Sequence, residues 1–219
     1  NDPRARHILK VLRCQPGDSF DTGLINGPRG KARLVSLSPR ALTLDFQFEN
    51  SIPPLYPVSL LIGLPRPQAV RRLLREGTSL GVDQIIFVIT EKGERSYAKS
   101  RLWAKEEYRQ YLIQGAQQAF TTRLPKISLA ESISQAIEQS SAKKERHELV
   151  ALDNYEAALC LGEYKARASS KGWLLAIGPE RGWSASEREA FRQNGFILAA
   201  MGPRVLRTET ACLAALALV

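Results

Sequence analysis

The C-terminal part of the chain contains two consecutive units with the same order of apolar and polar positions. Residues 173–177 are apolar throughout, and they are followed by a glycine-proline turn and by a helix that opens at Ser184. Residues 196–200 repeat this order, and the apolar segment 211–219 follows their turn. Short apolar runs between turns are typical of buried strands, and a segment that is apolar all round is typical of a buried helix. The pattern therefore predicts two strand-turn-helix units.

The turns of these units contain Gly178-Pro179 and Gly202-Pro203. Glycine lets the backbone approach a ligand, and proline keeps the neighbouring amides and carbonyls in a fixed direction. Two such turns at the ends of adjacent parallel strands would form a crevice, the usual ligand site of an α/β sheet. One such turn alone is common in units that bind nothing. The pair, with Arg-Thr-Glu-Thr at 207–210, favours a binding site.

Residues 1–50 have short runs of strand-forming residues separated by turn residues. The strand candidates are residues 20–25, 32–37 and 42–48. Short strands with tight turns predict a small barrel. Pro53, Pro54 and Pro57 cannot lie inside a helix or a sheet, so we predict a domain boundary at these prolines.

From residue 58 onward, strand and helix patterns alternate. The predicted strands are residues 58–62, 84–89, 149–152, 174–177 and 196–199. The predicted helices, besides those of the two C-terminal units, are residues 68–80, 102–120, 131–138 and 154–167. This alternation is typical of a mostly parallel sheet, because parallel strands need crossover connections.

The composition shows that this predicted α/β protein carries a large positive charge. The 219 residues include 31 Lys and Arg against 22 Asp and Glu, a formal net charge of +9. Such a surplus attracts polyanions, and nucleic acid is the commonest of them, although many basic proteins bind none.

Cys14, Cys160 and Cys212 lie far apart, with no CxxC pair and no histidine at metal-ligand spacing. We therefore expect no disulfide framework and no metal, and the thiols fit a reducing cytoplasm. No apolar run reaches the length of a membrane span, and no signal-peptide pattern is present. Rossmann, P-loop, nucleophile-elbow and zinc-protease motifs are absent. A histidine triad is not expected either, because the 2 histidines lie outside the glycine-proline turns.

Residues 175–182 and 201–211 closely resemble the cofactor loops of the bacterial 16S rRNA uridine-N3 methyltransferase family, which is of the SPOUT class. The weaker similarities, which extend over nearly the whole chain, are at residues 6–13, 17–18, 80–82 and 124–125. The resemblance implies a PUA-like β-barrel that binds RNA at 1–52 and a SPOUT-type α/β domain at 58–219. It also implies a homodimer, and a trefoil knot that binds S-adenosylmethionine at about 149–219.

The resemblance implies a set of cofactor-binding residues in the three C-terminal strand ends. They are Leu152, Ile177, Gly178, Pro179, Glu180, Met201, Gly202, Val205, Leu206, Arg207 and Thr208. Backbone groups around Met201, Val205 and Leu206 would hold the adenine. This mode of recognition explains why glycine and apolar residues dominate these loops.

Methylation of uracil at N3 requires loss of the N3 proton, so the site needs a base, or a cation that stabilises the anion at O2 or O4. Arg207 is the candidate cation, and Glu180 or Glu209 is the candidate proton acceptor. Arg207 alternatively forms a structural ion pair with one of these glutamates. Thr208 is expected to cap the last helix, and Glu209 lies where a helix N-terminus favours negative charge.

The candidate RNA-binding residues are Arg6, His7, Lys10 and Arg13 in the first domain, with Arg204 contacting RNA or the partner subunit. The alternative for each basic residue alone is a solvated surface position. As a set they favour phosphate contacts, because few acidic residues interrupt them.

Several positions depart from the family pattern. Arg181 replaces a glycine of the first turn, and Glu76, Ser79, Gln117 and Thr121 replace charged residues of two helices. These departures put the RNA target in doubt and leave two alternatives open. One is a methyltransferase of another RNA site or base, and the other is a non-catalytic RNA-binding protein with a SPOUT-like body.

Overall fold

The structure is a computed structural model that describes residues 2–49, 52–140, 147–166, 168 and 172–219. The chain divides into two compact units. Unit 1 comprises Asn1–Pro54 and Phe120–Arg123, and unit 2 comprises Leu55–Ala119 and Leu124–Val219. The division after Pro54 lies within the proline-rich stretch where we predicted a boundary. The assignment of Phe120–Arg123 to unit 1 was not predicted.

Unit 1 contains a three-stranded antiparallel sheet in the order β1-β2-β3. Its strands are β1 (Ser19–Gly23), β2 (Arg29–Leu37) and β3 (Leu42–Phe48). Helix α1 (Pro3–Arg6) precedes them and continues into a π-helix, His7–Val11. Ile8 and Cys14 bury their side chains against Leu34 of β2, which forms the small core of this unit.

The predicted barrel in unit 1 is not confirmed, because the strands that the structure describes there form an open sheet. The segment before the first strand candidate forms a helix, which was not predicted. Asp2 accepts a hydrogen bond from the Arg4 backbone N–H at 2.8 Å, and Pro3 occupies the first turn. Both are helix-start signals, because they satisfy or remove backbone donors that would otherwise lack partners.

Unit 2 contains a seven-stranded sheet in the order β6-β5-β4-β9-β7-β10-β8, and its strand pairs are parallel. The strands are β4 (Tyr56–Gly63), β5 (Val82–Val88), β6 (Lys126–Ala130), β7 (His147–Leu152), β8 (Leu159–Cys160), β9 (Gly172–Ile177) and β10 (Ile197–Ala200). The predicted parallel α/β sheet is thus confirmed, and β6 and β8 are additions to the predicted set. Pro57 lies in β4, although we expected it outside the sheet; it falls where the pairing of β4 with β5 shifts register, between Tyr56 and Ser59.

Helices cover both faces of this sheet. They are α2 (Pro67–Ser79), α3 (Arg101–Ala104), α4 (Tyr108–Gln118), α5 (Ile133–Gln139), α6 (Leu161–Lys165), α7 (Ala185–Gln193) and α8 (Thr208–Leu218), with a 3-10 helix at Arg95–Lys99. Leu60 and Ile62 face the core that includes α2 and α8, whereas Leu61 faces the core that includes α5 and α7. Burial on both faces explains the continuous apolar runs of the strands. None of the helices described is long and apolar enough to cross a membrane.

Two predicted helices are wrong in extent. The helix predicted at 102–120 is two helices, because the chain turns at Glu106, whose φ is 51°. This turn allows Trp103 to pack against both Phe87 and Tyr108, with ring centroids 5.3 and 5.7 Å away.

The helix predicted at 154–167 is confined to Leu161–Lys165, and its last predicted residue, Arg167, lies outside the described residues. The segment before it is a turn because the carboxylate of Asp153 accepts hydrogen bonds from the N–H groups of Tyr155 (2.8 Å) and Glu156 (2.7 Å). An aspartate that binds the following amides competes with helix formation.

Helices α2 and α4 cross closely at Gly115, which generates a stability prediction. A Cβ at Gly115 would clash with the Arg75 carbonyl oxygen and would lie 2.9 Å from the Thr78 Cβ. We expect Gly115→Ala to lower the free energy of unfolding by about 1–3 kcal/mol, the usual cost of overpacking a core.

The measurement is urea unfolding followed by circular dichroism. Gly162→Ala is the matched control, since its Cβ would have nothing within 4 Å and Gly162 lies in helix α6. We expect the control to gain about 0.5–1 kcal/mol from the better helix propensity of alanine. Equal stability of the two variants would show that the α2–α4 contact tolerates a methyl group.

Candidate functional site

A cavity lies at the carboxyl ends of three neighbouring strands, β9, β7 and β10. The lining residues are Leu152, Asp153, Asn154, Tyr155, Ile177, Gly178, Pro179, Glu180, Arg181, Gly182, Met201, Val205, Leu206, Thr208 and Ala211. The expectation that the two glycine-proline turns follow adjacent strands is wrong. Strand β7 lies between β9 and β10 and pairs with both, so its end forms the middle wall of the cavity.

The turn after β9 is held by close contacts. Gly182 N–H donates to the Pro179 carbonyl oxygen at 2.8 Å, with Gly182 in the left-handed region (φ 65°) that favours glycine. Pro179 packs directly on the end of β4, where a Cβ at Gly63 would lie 2.6 Å from the Pro179 nitrogen. Sequence reasoning missed Gly63, although a glycine at a strand end is a signal of close backbone approach.

The turn after β10 returns to the turn after β9. Gly202 has φ 111°, and the hydroxyl of the buried Thr208 donates to the Gly178 carbonyl oxygen at 3.0 Å. Thr208 is therefore not the helix cap that we predicted. The N-cap of α8 is Arg207, because the Thr208 hydroxyl is engaged with Gly178, and Glu209 lies in the first turn as expected.

The end of β7 is bound to both neighbouring strands. Asp153 N–H donates to the Ala199 carbonyl oxygen at 3.0 Å, and the fully buried Trp183 donates its Nε1–H to the Leu152 carbonyl oxygen at 3.0 Å. The Trp183 carbonyl oxygen in turn accepts from the Arg188 guanidinium at 2.7 Å. Trp183 and Arg188 were not predicted as site residues, because their contacts are distant in sequence.

A charged network surrounds this end of β7. The Arg188 guanidinium lies 3.4 Å from the Asp153 carboxylate and 2.7 Å from that of Glu156, and Arg192 also binds Glu156. Arg192 and Arg188 hold the pKa of Glu156 below its usual range, because they hydrogen-bond its charged form. The network keeps the 153–156 segment in place beside the cavity.

The structure brings most of the predicted cofactor residues together. All of them line the cavity except Gly202 and Arg207. Of the predicted catalytic residues, only Glu180 lines it, and its carboxylate accepts from the Arg66 N–H at 3.2 Å, at the start of α2.

Arg207 is exposed, and within the part of the chain that the structure describes no carboxylate lies close enough to form an ion pair with it. The alternative of a structural pair with Glu180 or Glu209 is thus not observed. Glu209 is partly exposed. Burial of the Cys212 thiol raises its pKa, and the negative charge of Glu209 raises it further.

The predicted RNA-binding residues are all on the surface of their own unit. Arg6, His7 and Lys10 are exposed in the N-terminal helical segment of unit 1, Arg13 is exposed just after its end, and Arg204 is exposed in the turn after β10. Their roles remain predictions.

The departures from the family pattern have separate places in the structure. Arg181 is exposed and lines the cavity. Ser79 has a structural role, since its hydroxyl lies 3.1 Å from the Gly115 carbonyl oxygen at the α2–α4 crossing. The residues described include no group of His, Cys, Asp and Glu that could hold a metal.

Comparison with known proteins places this site in a family. The RNA methyltransferase domain family matches residues 52–219. The chain is 41% identical over 221 residues to ribosomal RNA small subunit methyltransferase E of Treponema pallidum, covering 100% of this chain and 82% of the relative. The chain belongs to the ribosomal RNA small subunit methyltransferase E family.

Further relatives agree with this membership of the methyltransferase E family. The Borreliella burgdorferi methyltransferase E 1 is 30% identical over 219 residues, covering 98% of this chain and 88% of that protein. The fold also matches the crystal structure of the Neisseria gonorrhoeae methyltransferase E bound to S-adenosyl methionine. The TM-score is 0.81 at 25% identity, covering 99% of this chain and 87% of that one.

The hydrogen bond between Thr208 and Gly178 generates a prediction for the site. Thr208→Val keeps the shape of the side chain and removes the donor, so we expect the free energy of unfolding to fall by about 1–2 kcal/mol. Thr208→Ser is the control that retains the hydroxyl and should lose less. Urea unfolding of the three proteins checks this, and equal losses for valine and serine would show that the hydrogen bond contributes nothing.

Proposed function

We propose that this protein transfers a methyl group from S-adenosylmethionine to N3 of a specific uridine in 16S rRNA of the small ribosomal subunit. The observation that carries the proposal is the cavity at the ends of β9, β7 and β10. Its walls are the segments that resemble the cofactor loops of this family, and the chain has the fold of a family member that is bound to S-adenosyl methionine.

The residues of the cavity fit this cofactor. Leu152, Ile177, Leu206 and Ala211 supply apolar surface, which suits an adenine, and residues of both glycine-proline turns line the same cavity. The one buried carboxylate among the lining residues, Asp153, is paired with Arg188, so its charge is balanced within the protein. When bound, S-adenosylmethionine supplies an electrophilic methyl group on a sulfonium.

The protein's own contribution is to remove the N3 proton of the uracil. Arg207 is the proposed cation for the uracil anion, since its charge is exposed and not neutralised by a described carboxylate. Glu180 is the first candidate for proton acceptor, because it lines the cavity, and Glu209 is the second. The hydrogen bond from Arg66 to Glu180 holds this carboxylate at the rim.

Unit 1 is the proposed RNA-binding domain, as a PUA-like module. Several of its basic residues already have acidic partners: Arg4 pairs with Asp2, Arg29 with Glu49 and Lys31 with Asp21. By contrast, Arg6, Lys10 and Arg13 are exposed and have no acidic partner among the residues whose structure is described. Unpaired, exposed cations are the groups that contact phosphates.

We also propose a trefoil knot at about 149–219 and a homodimer in the cytoplasm. The knot is supported by the position of β10 between β7 and β8 and by the hydrogen bond from Thr208, after β10, back to Gly178, after β9.

The dimer is supported by exposed apolar side chains on and before α8, with Val205 81% and Leu218 40% exposed. Light scattering should give twice the chain mass, and a monomer at micromolar concentration would contradict the dimer.

Mass spectrometry of 16S rRNA nucleosides tests the function itself. We expect N3-methyluridine to be absent from a strain that lacks the gene and to return when this chain is expressed there. A different missing nucleoside would identify a methyltransferase of another site. An unchanged nucleoside profile would favour a non-catalytic RNA-binding protein.

Substitutions at Gly202 and at Arg207 should impair different steps, cofactor binding and turnover respectively. At φ 111° a valine is strained, so Gly202→Val should distort the turn and abolish S-adenosylmethionine binding. Arg207→Ala should keep that binding and lower turnover by roughly 10²-fold, the effect of removing a charge-stabilising group. Raising the pH should partly restore Arg207→Ala, because the uracil proton then leaves more readily.

Calorimetry with S-adenosylmethionine and single-turnover methylation of small subunits separate these two effects. Arg207→Lys is the control that keeps the positive charge and should retain more activity than the alanine variant. Turnover of Arg207→Ala at the wild-type rate would move the catalytic assignment to Glu180 or Glu209.

RNA binding should depend on unit 1 and on salt. Charge reversal at Arg6, Lys10 and Arg13 together should weaken RNA binding and flatten its dependence on salt, because fewer counterions are released. The affinity for S-adenosylmethionine, measured on the same variant, is the control and should not change. Equal loss of both affinities would show that unit 1 is not a separate RNA module.

A further inference from the structure

Among the large hydrophobic side chains that line the cavity, Tyr155 is exposed second only to Val205. Its exposed fraction is 77%, whereas Leu152 and Ile177, which line the same cavity, are 8% and 3% exposed. The floor of the cavity is therefore apolar and closed, and an aromatic ring stands at its mouth. Sequence reasoning gave no role to this residue.

The backbone of Tyr155 is fixed although its ring is exposed. Its N–H donates to Asp153 Oδ1 at 2.8 Å, and the neighbouring Glu156 N–H donates to the same oxygen at 2.7 Å. Asp153 is only 5% exposed and also pairs with Arg188. The segment that carries the ring is thus held by a buried carboxylate.

The ring itself is held by charge. The Arg188 guanidinium carbon lies 5.8 Å from the Tyr155 ring centroid, a cation–π distance, and Arg188 is anchored by the Trp183 carbonyl oxygen and by Glu156. Gly182 lies beside the ring edge, where a Cβ would make an ordinary van der Waals contact at 3.7 Å. An aromatic ring that is kept in place but left exposed is available for a planar ligand.

We infer that Tyr155 stacks on the uracil that receives the methyl group. The inference rests on the proposed function. A base can enter the mouth of the cavity only after it leaves the RNA stack, and an aromatic side chain there restores part of the stacking that is lost. Arg181, exposed in the same mouth, adds a positive charge that suits an anionic nucleotide. The cofactor adenine is matched instead by the buried, backbone-lined floor.

The test compares Tyr155→Leu, which removes the aromatic ring, with Tyr155→Phe and Tyr155→Trp, which keep one. The substrate is small ribosomal subunits from a strain that lacks the gene. We expect the leucine variant to raise KM for subunits between about fivefold and 150-fold, the range that corresponds to loss of one base–aromatic stack. The phenylalanine and tryptophan variants should stay close to wild type, because stacking does not need the hydroxyl.

Two further measurements separate stacking from a structural role. Calorimetry should give the same S-adenosylmethionine affinity for Tyr155→Leu and wild type, and thermal unfolding should be unchanged. Tyr56→Leu is the matched control, since Tyr56 is 66% exposed at the amino end of β4, whereas the cavity lies at the carboxyl ends of the strands. This variant should leave KM unchanged.

Different results would overturn the inference in distinguishable ways. A wild-type KM for Tyr155→Leu would show that the ring does not contact the base. A parallel loss of S-adenosylmethionine affinity would make Tyr155 part of the cofactor wall instead. If the wild-type protein itself methylates no rRNA, the proposed function fails and the inference falls with it.

Discussion

The hydrogen bond from the Thr208 hydroxyl to the Gly178 carbonyl oxygen joins two turns whose strands are not neighbours. Strand β7 lies between β9 and β10, so any cavity built from the two turns must extend across the end of β7. Two more hydrogen bonds complete this arrangement: Trp183 binds the Leu152 carbonyl oxygen, and Asp153 N–H binds the Ala199 carbonyl oxygen. Each of the three strand ends is thereby bound to the other two. The cavity is a consequence of these three ties.

This arrangement separates a buried frame from an exposed rim. Thr208, Trp183 and Asp153 are buried and use their polar atoms within the protein. Arg181 and Arg207 are exposed and form no ion pair among the residues that the structure describes. A preorganised frame suits a cofactor that is the same in every turnover, while exposed charged groups suit a large polyanionic substrate. The departure from the family pattern at Arg181 lies on the rim, where it leaves the frame intact.

The local parts of this structure could be predicted from the sequence, because their signals are continuous. The strands at 173–177 and 196–200 are apolar runs between turns, and their burial on both faces follows from helices on each side of the sheet. The insertion of β7 between them could not be predicted, because strand order depends on contacts between residues that are distant in the chain. The roles of Trp183, Arg188 and Gly63 could not be predicted either, because they too depend on contacts with residues that are distant in the chain.

Other errors arise where one side chain competes with a regular pattern. The helix predicted at 154–167 fails because Asp153 binds the amides that would start it, and apolar spacing does not report such a bond. Thr208 is of a residue type that often caps helices, yet its hydroxyl donates to the Gly178 carbonyl oxygen instead. In unit 1, Asp2 and Pro3 start a helix before the first predicted strand, and this helix was not predicted.

Hydrogen–deuterium exchange with and without S-adenosylmethionine tests most directly the claim that the three joined strand ends hold the cofactor. The account predicts slower exchange on binding for amides in the turns after β7, β9 and β10 and at the start of α8, with no change in unit 1. Protection at another part of the chain, or saturable binding without protection of these turns, would contradict it.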